Sequence, residues 1–249
     1  MSRRKIAAGN WKMNTTVNEG RELLSNLSKS SIPDDVEMIL CVPFTHLSTL
    51  VQGAPGHIEI GAQNMYFEDK GAFTGEVSAL VLKDIGVEYV LVGHSERREY
   101  FNEGGEMLAK KLSKALEHGL NPIFCCGEHL AIRKANEHIE FVKSQLEQSL
   151  FHVSRDQMAE IILAYEPIWA IGTGETASPQ EAEEMHSAIR SMINAKYGDR
   201  VAENVPILYG GSVKPRNAKE LFSQQDVDGG LVGGASLDPV GFTAIANSF

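Results

Sequence analysis

The stretch IILAYEPIWAIGTGETASPQEAEEMHSAIRSMI, residues 161–193, joins three patterns into one unit. Ile161, Ile162, Leu163, Ala164 and Tyr165 form a short apolar run with the length and branching of a buried strand. Glu166 ends the run with a carboxylate, and Pro167 stiffens the backbone directly after it. Residues 168–177 read as a loop, with Trp169 as an apolar anchor and Gly172 and Gly174 as mobile points. Ser178, Pro179 and Glu181 then spell an N-cap, a first-turn proline and a capping-box partner. Ala182, Met185, Ile189, Met192 and Ile193 recur at helical spacing behind them. The unit is strand, loop and helix, and its one early charge sits at the carboxyl end of the strand beneath a loop with the make-up of a lid.

The same alternation extends in both directions. Apolar strand-like runs fall at residues 5–9, 37–42, 57–62, 89–92, 122–125, 161–165, 206–209 and 229–232. Between them, Leu108, Leu112, Ala115 and Leu116, and then Ile139, Val142, Leu146 and Leu150, mark further amphipathic helices. Strands that alternate with covering helices imply a parallel sheet. Eight such units in 249 residues fit an α/β fold of the closed (β/α)8 type, an eight-stranded parallel sheet ringed by helices. An open doubly wound sheet is the alternative, disfavoured because no G-x-G-x-x-G follows the first run. No linker, repeat or low-complexity segment interrupts the chain, so one domain over residues 1–249 is expected.

Composition narrows the partners. With 23 basic and 33 acidic residues the net charge is −10, and long-range repulsion disfavours nucleic acid and anionic membrane surfaces. A small anionic substrate stays open, because local amides and one or two cations suffice to bind it. The basic start at Arg3, Arg4 and Lys5 is followed by an apolar stretch that stops at Ala8, too short for a signal segment, and no run approaches a membrane span. Cys41, Cys125 and Cys126 are odd in number, lie in apolar runs and lack zinc-site spacing. They read as reduced core residues, so a cytoplasmic protein is expected.

In a (β/α)8 barrel the active site lies at the carboxyl ends of the strands. The first run is followed by Asn10-Trp11-Lys12, the fourth by Gly93-His94-Ser95-Glu96, and the sixth by Glu166. The seventh and eighth lead into Gly210-Gly211-Ser212 and Gly233-Gly234-Ala235, whose backbone amides can approach a ligand closely. Phosphate is the natural ligand for such a pair of loops. Taken singly, Lys12 reads as a surface charge, His94 as a packing residue, Glu166 as a cap and each glycine pair as a turn. Together they set an ammonium, an imidazole, a carboxylate and an anion cradle around one mouth, a working set for proton transfer beside a carbonyl.

Six segments stand in order along the chain: AGNWKMN (8–14), AQNMYFEDKGAFTGEVS (62–78), VGHSERR (92–98), AYEPIWAIGTG (164–174), YGGSV (209–213) and LVGGASL (231–237). With them the chain resembles the triosephosphate isomerase family over essentially its full length. The resemblance implies a TIM barrel that interconverts dihydroxyacetone phosphate and D-glyceraldehyde 3-phosphate through an enediolate, in glycolysis and gluconeogenesis. It implies Glu166 as the carbon base, His94 as a neutral electrophile at a helix start, and Lys12 as the balancing cation. Asn10 becomes a hydrogen-bond donor to substrate oxygens and Glu96 the counter-charge near Lys12. Gly172, Ser212, Gly233 and Gly234 become phosphate-binding amides. No metal and no organic cofactor is required. An isologous homodimer is implied, with Thr74 reaching the neighbour's site near Asn10 and Lys12.

The chain departs from the common pattern at Glu175, where lysine is frequent in relatives, and at Cys126, where isoleucine is commoner; neither is one of the reacting groups. Two other readings keep the barrel. A larger-sugar isomerase or a phosphate-dependent lyase would share the cradle, but a Schiff-base lyase needs a lysine inside a strand, and none of the runs places one centrally. A silent scaffold would be expected to lack Glu166, His94 or Lys12.

Overall fold

The computed structural model of the chain describes residues 3–172 and 175–249. The described residues form eight strands: β1 (Lys5–Asn10), β2 (Val36–Val42), β3 (Ile58–Ala62), β4 (Tyr89–Val92), β5 (Asn121–Cys126), β6 (Ile162–Tyr165), β7 (Ile207–Tyr209) and β8 (Gly229–Val232). They close into one barrel in chain order, and β1 meets β8 in parallel with Ile6 opposite Gly229 and Gly9 opposite Val232. Each expected run matches its strand to within one residue at either end.

Alternation along the strands builds two cores. Ile6, Ala8, Ile39, Cys41, Leu91, Ile123, Cys125, Ile162, Ala164, Leu208 and Leu231 fill the barrel interior as one buried cluster. Their neighbours in sequence, among them Ala7, Leu40, Phe124, Leu163 and Tyr165, face outward into a second, larger cluster shared with the helices. Both faces of the sheet are therefore apolar, which is why the strands read as continuous runs.

The helix Pro179–Tyr197 starts as expected: Ser178 caps it, Glu181 completes the capping box and proline occupies the first turn. Ala182, Met185, Ile189 and Ile193 are buried along it, while Met192 is only partly so. In the helix His138–Ser149 the buried stripe runs through His138, Val142, Leu146 and Ser149. Ile139, expected on that stripe, is instead exposed, because spacing by four from Val142 selects His138, whose Nε2 lies 3.5 Å from Glu184. Shorter helices at Val17–Leu27, Leu47–Gly53, Ala79–Asp84, Pro215–Phe222 and Pro239–Ala246 were not legible from periodicity. They span too few turns for a repeat to stand out.

All three cysteines are buried and unpaired, and burial pushes the thiols of Cys41 and Cys126 up to about 12. Among the described residues no helix is long and apolar enough to cross a membrane.

Candidate active site

The parity that fills the barrel also aims its mouth. Ile162 and Ala164 point inward, so Glu166, two residues on, continues the inward row where the strand ends. Ile6 and Ala8 do the same for Asn10. Both polar residues are buried, Glu166 to 2 % exposure and Asn10 to 5 %. A carboxylate at that depth is held by main chain on both sides: its amide donates to the Cys126 carbonyl at 2.7 Å, and the Gly210 amide donates to the Tyr165 carbonyl at 2.7 Å. Two glycines make room for it. A Cβ on Gly127 would lie 1.8 Å from the Glu166 carbonyl oxygen, and one on Gly210 would lie 2.9 Å from the Glu166 Cγ.

Glu166 Oε2 accepts a hydrogen bond from the Ser95 amide at 2.9 Å. Its Oε1 lies 2.9 Å from His94 Nε2, but no donor is aligned on it.

His94 caps the helix Ser95–Tyr100, and the Glu96 amide donates into its Nδ1 at 3.3 Å. Burial disfavours the imidazolium, and the Glu166 carboxylate, followed by Glu96, more than offsets this, so the ring titrates above its ordinary value while it is paired with Glu166. The tautomer that keeps the Glu96 amide bond is the neutral one, with the proton on Nε2 and that proton facing the cleft.

Lys12 adopts a left-handed backbone, φ 52°, a costly conformation for a side-chain-bearing residue and a recurrent mark of functional positions. Its amide donates to Asn10 Oδ1 at 3.0 Å, and Gln63 Nε2 donates to its carbonyl at 2.9 Å and to that of Cys41 at 3.1 Å. The ammonium lies 2.5 Å from Glu96 Oε1.

Asn10, Lys12, His94 and Glu166 line one cleft of about 290 Å³ with Gly172, Gly210, Gly211, Ser212, Gly233 and Gly234. The structure therefore brings together every residue singled out at the mouth except Glu96, which borders the cleft through its pair with Lys12, and Thr74. Thr74 is exposed at the tip of the segment after β3. The Ser212 amide donates to the Ala170 carbonyl at 3.2 Å, tying the loop to the cradle. Gly172 has φ 68°, which a side chain would resist. Thr173 and Gly174, the second of the two glycines read as mobile, lie outside the described residues.

Sequence reasoning missed several supports. Glu128 is fully buried and accepts from the Tyr165 hydroxyl at 2.9 Å and the Trp169 indole at 3.0 Å, so it holds the start of the loop. Burial pushes its carboxyl up, and the two donors pull it back in part. Behind His94, Lys111 donates to Asn64 Oδ1 at 2.7 Å and Glu103 Oε1 at 2.6 Å, and Arg97 Nε reaches the same Glu103 oxygen at 2.6 Å. Position directly after a strand was the available signal for Gln63, Asn64 and Glu128. Lys111 carried none, since a lysine in a helix reads as a surface residue.

Outside the mouth, Asp69, Glu117 and His118 bring potential metal-ligating atoms within 4.8 Å of one another. The Lys114 ammonium already pairs with both carboxylates, at 3.3 and 2.8 Å.

Comparison with known proteins agrees with this geometry. The family model described as triosephosphate isomerase matches residues 5–249. A triosephosphate isomerase of Cytophaga hutchinsonii is 52% identical over 250 residues, covering 99% of this chain and 100% of the relative. One from Alkaliphilus metalliredigens is 50% identical over 246 residues, 98% and 99% of the two chains, and one from Lactobacillus acidophilus 49% over 250 residues, 99% of each. With its strand order, its mouth residues and its full-length match all in agreement, the chain belongs to the triosephosphate isomerase family.

Proposed function

We propose that this barrel interconverts dihydroxyacetone phosphate and D-glyceraldehyde 3-phosphate, as the glycolytic and gluconeogenic isomerase, with the mouth residues in the following roles. Glu166 takes a proton from one substrate carbon and returns it to the neighbouring carbon, and the charge that builds on the carbonyl oxygen is met by fixed donors. His94, neutral and carrying its proton on Nε2, polarises that oxygen. The helix start beneath it disfavours a second proton on the ring. Once Glu166 turns from His94 to the substrate carbon, the pull that raises the imidazole is removed, so the neutral form is reinforced at the moment it is needed.

Lys12 offsets the charge shared by enediolate and phosphate, with Glu96 as its counter-charge, and Asn10 donates to the substrate oxygens. Amides at Gly172, Gly233 and Gly234 hold the phosphate, and the Ser212 amide joins them once loop closure frees it from the Ala170 carbonyl. Because Gly172 belongs to the loop and the other three to the barrel, phosphate binding draws the loop over the reacting carbons and excludes water. No metal or organic cofactor enters this chemistry.

The chain acts as a single barrel domain in the cytoplasm, and the working unit is a homodimer. Thr74 lies on an exposed protrusion in which Tyr66 stacks on Phe67 at 4.3 Å and lies 4.8 Å from Phe73. Phe73, Val81, Phe101 and Met13 are 40 %, 50 %, 60 % and 97 % exposed, apolar side chains that contact with a second copy would take out of water.

One observation carries the assignment: the buried Glu166 carboxylate sits 2.9 Å from His94 Nε2 in a cleft shared with Lys12 and the glycine cradle. A coupled assay with each triose phosphate tests it. Turnover in both directions without added metal is expected. Turnover of neither substrate, as for a scaffold or a larger-sugar enzyme, overturns it.

A further inference from the structure

The helix Pro179–Tyr197, which receives the loop after β6, carries a histidine that no step above uses. His186 is 0 % exposed and lies between two tyrosine rings. Its centroid is 5.9 Å from that of Tyr165, edge-on at 89°, and 6.4 Å from that of Tyr209 at 34°. Nδ1 faces the Asp226 carbonyl at 3.3 Å, and since a carbonyl only accepts, Nδ1 carries the proton. The same carbonyl takes Arg190 Nη2 at 3.0 Å, so the loop before β8 is already fixed without the histidine. Burial pushes the imidazole down to about 3, so the ring stays neutral.

The two tyrosines stand at opposite ends of one loop. Tyr165 donates to Glu128, which also accepts from Trp169 near the loop's start. The Tyr209 hydroxyl lies against the backbone of Ala177, the residue before the Ser178 cap. His186 touches both rings from the far side of the barrel wall.

We propose that His186 is a positioning residue for the reaction: its ring, tethered to the Asp226 carbonyl, orients Tyr165 and Tyr209 together and through them both ends of the loop that carries Gly172. The proposal rests on the isomerase reading. A loop whose two ends are set by one ring closes as a unit. With the ring removed, each tyrosine settles separately, the Gly172 amide meets the phosphate less often, and the enediolate is left uncovered. An uncovered enediolate phosphate breaks its carbon–oxygen bond, and one triose phosphate becomes one methylglyoxal and one inorganic phosphate with no other reactant.

The experiment compares wild type, His186→Ala and His186→Phe for kcat and KM with each triose phosphate and for phosphate released per turnover. His186→Ala is expected to lower kcat about 10-fold or more and to raise phosphate release per turnover by a similar factor, the order produced by a misplacement below ~1 Å. His186→Phe, which keeps a ring between the tyrosines, should recover most of both. His186→Gln, which keeps a donor for Asp226 but no ring, takes the place of the alanine variant if that chain does not fold, and should show the same defect. A ring-less variant that melts earlier yet keeps wild-type kcat and phosphate release overturns the proposal, as does a folded phenylalanine variant no better than the ring-less one. A wild-type protein that turns over neither triose phosphate overturns the isomerase reading, and the proposal falls with it.

Discussion

Glu166 reaches its position through backbone contacts on both sides and two glycines, so its main chain cannot advance to make up for a shorter side chain. Shortening it by a methylene in Glu166→Asp should therefore lose on the order of 10²-fold in kcat with KM little changed, since a displacement of about 1 Å is enough for that. Glu166→Gln should be worse, because an amide cannot accept the proton. Steady-state kinetics with both triose phosphates decide this, and full activity in either variant removes Glu166 from the role of base. His186 makes a separate prediction about pH. The folded protein holds it neutral down to about 3, whereas the unfolded chain protonates near 6.5. Between those values the unfolded state binds more protons, so this contribution to stability is complete above about pH 6.5 and is lost as pH falls toward 3. By about pH 4.5 the loss is on the order of 3 kcal/mol. Urea unfolding of His186→Phe should fall less than wild type between neutral and acid pH. Parallel pH slopes for the two proteins refute this.

The segment between β6 and the helix Pro179–Tyr197 is anchored from both sides. Glu128 grips Trp169, the Ser212 amide grips Ala170, and the capping box at Ser178 fixes the exit. Gly172 is exposed between these anchors, with a backbone conformation that favours glycine. Removing residues 170–174 and bridging the ends should leave circular dichroism and melting close to wild type, since the hold of Glu128 on Trp169 and the Ser178 cap remain and only the Ser212–Ala170 bond is lost. Isomerisation should drop by several orders of magnitude, and the remaining flux should shift toward methylglyoxal and phosphate. Holding the phosphate in the enediolate plane keeps the carbon–oxygen bond out of line with the electron pair, which is the role proposed above for the loop. A shortened protein that slows without more phosphate release per turnover shows that the loop does not guard the intermediate. The capping box is open to its own test: Ser178→Ala should cost about 1 kcal/mol in thermal unfolding.

A barrel has no free sheet edge, so any assembly of this protein must use its loops and helices. The protrusion after β3 is the natural means, with an aromatic cluster behind an exposed tip at Thr74. Thr74→Arg places a charge where the neighbour's Asn10 and Lys12 would lie, and Lys12 would repel it. The expected outcome is a monomer by sedimentation at assay concentration and a kcat lower by about 10-fold or more, the loss that slack in Lys12 would bring. A fully active monomer, wild type or variant, overturns the dimer reading.

Much of this architecture was legible without coordinates because its signals are local. Strands buried on both faces read as unbroken apolar runs, and the capping box at Ser178 and Glu181 is spelled within four residues. Strand parity carried Asn10 and Glu166 to the inner wall, and the glycine pairs after β7 and β8 marked the cradle. What stayed hidden depends on contacts between distant segments. Nothing near Lys111 shows that Glu103 and Asn64 close around its ammonium, and nothing near Lys12 shows its strained backbone held by Gln63. Ile139 and His138 exchanged places because a stripe's phase is set by the surface it meets, here one that offers Glu184. The sequence by itself determined the order of elements and where the candidate site residues fall along them, since hydrophobic period and strand-end position are properties of neighbours along the chain. Only the tertiary structure decided the pairing of His94 with Glu166 and the burial of Glu128 and His186, because hydrogen bonds and exclusion of water depend on which distant segments the closed barrel brings together.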